Sequence, residues 1–84
     1  MYYNLIKSYV DRLTIEDLDK FANSKGITLT EEEQPIIYNC IKQHWETFYY
    51  GNPKEILENL KQKINIDTYN KIEALYVQAK NMIN

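Results

Sequence analysis

Residues suited to a protein interior recur at three- and four-residue intervals through the middle of the chain: Ile36, Ile37, Cys40, Ile41, His44, Trp45 and Phe48. At about 100° per residue they sweep roughly half of a helix circumference. A helix with one neighbour needs a narrower stripe, so the pattern predicts a central helix packed on two sides. Thr30 with Glu33 reads as a capping box at its start, and the carboxylates of Glu31, Glu32 and Glu33 suit the positive end of a helix. Pro35 removes one backbone bond just past the first turn, which moves the expected start of the regular helix a few residues on. Gly51 stops the helix after Tyr49 or Tyr50.

The same reading places four further helices around it. The first spans about Tyr2 to Asp11 or Arg12, with Tyr2, Ile6, Tyr9, Val10 and Leu13 on its apolar side, flanked by Tyr3 and Leu5. Thr14 is set to cap the second, with Asp17 as its capping-box partner and Leu13 and Leu18 at the staple positions. Ile15, Leu18, Phe21 and Ala22 form the apolar side of that helix, and Gly26 followed by Ile27 ends it in a left-handed turn. Ile27, Thr28 and Leu29 alternate as a short extended connector. Asn52, Pro53 and Glu55 signal the start of a short fourth helix ending near Lys63, with a stripe of Ile56, Leu57, Leu60 and Ile64. Asn65 to Thr68 offers three caps for the fifth, whose stripe of about 140° runs through Tyr69, Ile72, Leu75, Tyr76, Ala79, Met82 and Ile83.

These elements, joined by short connections, predict an all-α fold: one compact domain over residues 1–84, about five helices, the third central. Its apolar content of 44% suffices for a core, and the single Cys40 leaves that core without an intramolecular disulfide. No apolar run approaches a membrane span, so no membrane partner is expected. Residues 1–7 lack a basic region followed by a long apolar stretch, and with a free thiol this gives a cytoplasmic location as the expectation.

The run from Leu13 to Leu18, then Phe21 and Ala22, then Gly26 to Thr30, is similar to a family of short bacterial all-helical proteins of low-GC Gram-positive lineages, a domain of unknown function. Thr68 to Glu73 with Leu75 and Tyr76 fits the same family. The resemblance implies a small cytoplasmic helical protein, and its motifs are caps and core positions that carry no functional residues with them.

Candidate chemistry is sparse. Cys40 and His44 stand four apart on one side of the central helix, the spacing of two metal ligands or of a thiolate–imidazole pair. With no second Cys or His, a closed zinc site is out of reach, and the expectation is a buried thiol, no cofactor, and a histidine either hydrogen-bonded inside or exposed in a groove. Glu31 to Glu33 lack the alternating ligands and glycine turn of a calcium loop. No catalytic triad, phosphate loop or dinucleotide fingerprint is present, so no enzyme activity is expected.

Charge narrows the partners. The net charge is −2, and no basic block occurs in either half. The segment Thr14 to Ile41 resembles helix–extended-loop–helix and helix-turn-helix nucleic-acid modules, but three glutamates stand where those modules carry Lys and Arg. A nucleic-acid-binding regulator is therefore the alternative rather than the leading expectation. The eight tyrosines are the surplus that composition leaves to explain. Tyr2, Tyr9, Tyr69 and Tyr76 fit core stripes, whereas Tyr38, Tyr49 and Tyr50 fall at or beyond the margin near Trp45. Aromatic residues at such an edge suit a partner surface. The leading expectation is a non-catalytic protein-interaction or self-association module, with Tyr38, Trp45, Tyr49 and Tyr50 as the candidate surface for a protein partner or a second copy.

Overall fold

The structure, a computed structural model, describes the backbone of residues 2–83 and the side chains of residues 2–81. It contains α1 (Tyr2–Arg12), α2 (Ile15–Ser24), α3 (Glu33–Tyr50), α4 (Lys54–Lys61) and α5 (Ile66–Ile83), and no strand among the described residues. The central helix α3 packs against α1, α2 and α4, and α5 lies against α4. Those neighbours, together with the Tyr76 ring of α5 against Phe48, account for the breadth of its apolar arc.

The helix boundaries follow the capping chemistry. Thr14 Oγ1 accepts from the Asp17 amide at 3.1 Å, and Asp17 Oδ2 accepts from the Thr14 amide at 3.2 Å. Thr14→Ala should lower stability by about 1 kcal/mol in a urea titration, because the Asp17 amide loses its partner. An unchanged midpoint would refute that role. Gly26 sits at φ +78°, and the Ile27 amide donates to the Ala22 carbonyl at 2.8 Å while the Gly26 amide donates to Asn23 at 3.1 Å. That pair of bonds is a Schellman stop, and the apolar Ile27 behind it is buried.

At α3 the Thr30–Glu33 capping box forms, with the reciprocal bonds at 3.0 and 3.1 Å. Residues 31 and 32 make a turn and the regular helix starts at Glu33, two residues before Pro35. Asn52 Oδ1 accepts from the Lys54 amide at 3.1 Å, a turn that leads into α4, but the cap position itself is Pro53 rather than the expected Asn52, one residue later than the sequence signal. Of the three possible caps for α5, Asn65 serves: its Oδ1 accepts from Asp67 and its carbonyl from Tyr69, both at 2.9 Å.

The core is built from Leu18, Ala22, Ile27, Leu29, Ile37 and Leu60, with Ile36, Tyr38, Ile41, Ile64, Ile72 and Leu75 packed at its edge. Polar ties join the helices around it. Tyr38 Oη donates to the Leu13 carbonyl at 2.9 Å, and the Lys42 ammonium donates to the last carbonyls of α1, at Val10 and Asp11. A cation there offsets the negative end of the helix and adds a donor to its last carbonyls, of which Val10 also accepts from the Leu13 amide at 3.2 Å.

Core assignments on three helices differ from the sequence reading. Tyr2 and Tyr9 face outward on α1, and the buried side is formed by Val10 and Leu13 with the half-buried Tyr3 and Ile6. Among the described residues α3 is the helix that packs on α1, and one part of the wide apolar arc of α1 stays outside. On α2, Phe21 is 50% exposed, with the Lys25 ammonium 5.8 Å from its ring centroid. On α5, Tyr69 is buried and Ile72, Leu75 and Tyr76 are half-buried, but Ala79 is exposed. Met82 and Ile83, expected in the same stripe, lie outside the described side chains.

Candidate functional site

Two concave surfaces flank α3. The first lies towards α4, has a volume of about 460 Å³, and is lined by Ile36, Asn39, Cys40, Gln43 and His44 opposite Glu55, Ile56, Asn59, Leu60 and Lys63. His44 is therefore a half-exposed groove residue rather than a core histidine, and Cys40 is half-buried beneath it. The eight-residue α4 presents Glu55 and Asn59 along the groove, and Lys63 follows in the turn after it. Burial pushes the Cys40 thiol up, against a smaller opposing pull from the Lys63 ammonium. A thiol held above its ordinary value is neutral at pH 7, which is the reverse of an activated nucleophile. Among the described residues, no three His, Cys, Asp or Glu side chains converge as metal ligands would.

The second surface is of opposite character. Ile6 of α1, Ile41, Trp45, Phe48 and Tyr49 of α3, and Tyr76 and Ala79 of α5 line a groove of about 250 Å³, with Lys80 as its one charged member. Aromatic contacts hold its walls: Phe48 meets Tyr76 edge to face at 5.6 Å between centroids, and Tyr3 tilts onto Trp45 at 5.3 Å. Such pairs add about 0.5–1.5 kcal/mol each beyond the area they bury. Tyr3 also stacks on Tyr50 at 6.0 Å, Tyr50 meets Tyr49 at 4.4 Å, and the Tyr3 hydroxyl donates to Glu46 at 3.3 Å.

The outer face of α1 borders this groove. Tyr2, Leu5 and Tyr9, at i, i+3 and i+7, are 65%, 67% and 58% exposed. On the helix wheel they fall within about 60° of one another, beside Ile6. Three large apolar side chains in one row, next to an apolar groove, make a continuous uncovered patch.

Of the four residues read from the sequence, Trp45, Tyr49 and Tyr50 come together in the aromatic cluster with Tyr3. Tyr38 stands apart: it is half-buried, its hydroxyl is committed to Leu13, and the Lys42 ammonium lies 5.3 Å from its ring centroid. The sequence reading missed the α1 row and the contributions of Tyr3 and Tyr76. A signal for the row was present, since the apolar residues of α1 span about 160° of the wheel, more than a peripheral helix covers.

No family model matches the chain, and neither a curated protein nor a solved structure does. Among the described residues, no helix is long and apolar enough to cross a membrane.

Proposed function

We propose that this chain is a non-catalytic protein-interaction module that receives an apolar helix face on the α1 row and the groove beside it. The observation that carries this reading is the outward row of Tyr2, Leu5 and Tyr9. Contiguous apolar patches on a protein surface mark interaction sites, whereas single exposed apolar residues do not. Tyrosine and tryptophan also supply much of the binding energy at interfaces, and Trp45 and Tyr49 line the adjoining groove. Burial keeps the Cys40 thiol in the groove from activation, and among the described residues no metal-ligand set converges beside it. The nucleic-acid alternative has the exposed Glu31 and Glu32 against it, at the end of α3 where such a module would meet phosphate.

Affinity capture from native lysate with three forms of the protein tests the reading. Wild type and an Asn4→Glu control on the opposite side of α1 should retain a partner, while Leu5→Glu should lose it with its melting temperature unchanged. Equal capture by all three forms would remove the α1 row from the site. A gel shift at low salt checks the alternative directly, and the protein should leave the nucleic acid unshifted.

A further inference from the structure

We infer that the occupant of the α1 row is a second copy of this chain, with the two α1 helices packed antiparallel about a twofold axis passing beside Leu5 and Ile6. The inference rests on the interaction-module reading and names its partner. Its first support is spacing. An antiparallel twofold at that point sets Tyr2 of each copy against Tyr9 of the other and brings the two Leu5 side chains together. The row is thus complementary to itself, as a twofold contact requires.

Charge placement supports the same arrangement. The Lys7–Asp11 ion pair, at 2.9 Å, lies on the far flank of α1, with Lys7 about 160° round the wheel from Tyr9. Arg12 is the one charged side chain of α1 bordering the row, at its C-terminal end. Antiparallel packing puts the two Arg12 residues at opposite ends, about 20 Å apart along the axis at about 1.5 Å per residue. That exceeds the screening length of about 8 Å in physiological salt. Parallel packing would place them side by side and align the two helix dipoles unfavourably.

Area sets the strength. The exposed parts of Tyr2, Leu5 and Tyr9 amount to roughly 350 Å² per copy, taking about 150–250 Å² for a whole aromatic side chain. A stable dimer buries about 800 Å² per partner. The second copy must therefore also reach across the groove to Tyr49, Tyr76 and Ala79, and the dimer is a weak, exchanging one.

Sedimentation equilibrium over a concentration series, together with oxidative cross-linking, tests this. Wild type should show a reversible monomer–dimer equilibrium, and Leu5→Glu should weaken it at least tenfold without shifting the melting temperature. In a Cys40→Ser background, mixed Tyr2→Cys and Tyr9→Cys chains should cross-link to each other faster than either does to itself. Faster self-linking of each variant would overturn the antiparallel arrangement. A wild type that stays monomeric at millimolar concentration would overturn the second copy altogether. If Leu5→Glu then still loses a different captured partner, the interaction-module reading survives that failure; if capture is also unaffected, both fall.

Discussion

Replacing Glu33 with glutamine should destabilise the fold by about 2–3 kcal/mol, although the change is isosteric. Glu33 is only 5% exposed and is the one buried charged side chain among the described residues. Its Oε1 accepts from the Thr30 amide at 3.0 Å and its Oε2 from the Asn65 amide at 2.9 Å. One carboxylate therefore closes the start of α3 and pins the residue that caps α5. Glutamine can accept one of these bonds, but its amide nitrogen then faces the other N–H donor to donor. Burial by itself would raise the Glu33 carboxyl, but the Thr30 and Asn65 amides and the Thr30 and Thr68 hydroxyls together hold it below the ordinary glutamate value.

The sign of the pH effect follows from that depression. The contribution is complete above the unfolded value of about 4.3 and is lost as pH falls through the lower folded value. Wild type should therefore lose stability progressively below about pH 4, and Glu33→Gln should show a flatter profile over that window. Urea midpoints measured for both proteins from pH 7 to pH 3 provide the check. Parallel profiles would show that Glu33 does not carry the acid sensitivity.

A comparable loss is expected from Leu60→Ala, about 2–5 kcal/mol. Leu60 is 5% exposed and is the only α4 residue in the buried cluster with Leu18, Ala22, Ile27, Leu29 and Ile37. An eight-residue helix is too short to persist in water unaided, so α4 depends on Leu60 and the neighbouring Leu57 for its place. At about 0.05–0.15 kcal/mol per residue the whole domain has roughly 4–13 kcal/mol to lose. Chemical denaturation should show the reduced midpoint, and Glu58→Ala on the exposed side of α4 should leave it nearly unmoved.

The sequence foretold the features that local chemistry decides. Thr14 with Asp17, Thr30 with Glu33, and Gly26 with Ile27 each act over six residues or fewer, and the structure forms all three. The bond from Asn65 to Glu33 was not legible, because it joins residues 32 apart and depends on how α5 is laid down. The face of α1 was misjudged for a related reason. Periodicity identifies an apolar arc, but only the neighbouring helix decides which part of it is covered. Tyr3, read as a flank, turns in to meet Trp45, while Tyr2 and Tyr9 turn out. The candidate surface was legible only in part: Trp45, Tyr49 and Tyr50 could be read from their position at the margin of α3, but the row on α1 required the fold.

The contact between Tyr3 and Trp45 has an optical consequence. Trp45 is the only tryptophan in the chain, and it lies half-buried at the seam between α1 and α3, beside the apolar groove. Indole emission responds to the polarity and packing around the ring, so the protein carries an intrinsic fluorophore at the place where a docking helix would change both. Titration with a partner, or dilution of an associated form, should shift the emission maximum with no label attached. Loosening confined to α4 would leave the Trp45–Tyr3 seam intact and the emission nearly constant, so the same signal separates an event at the proposed docking face from one at the opposite side of α3.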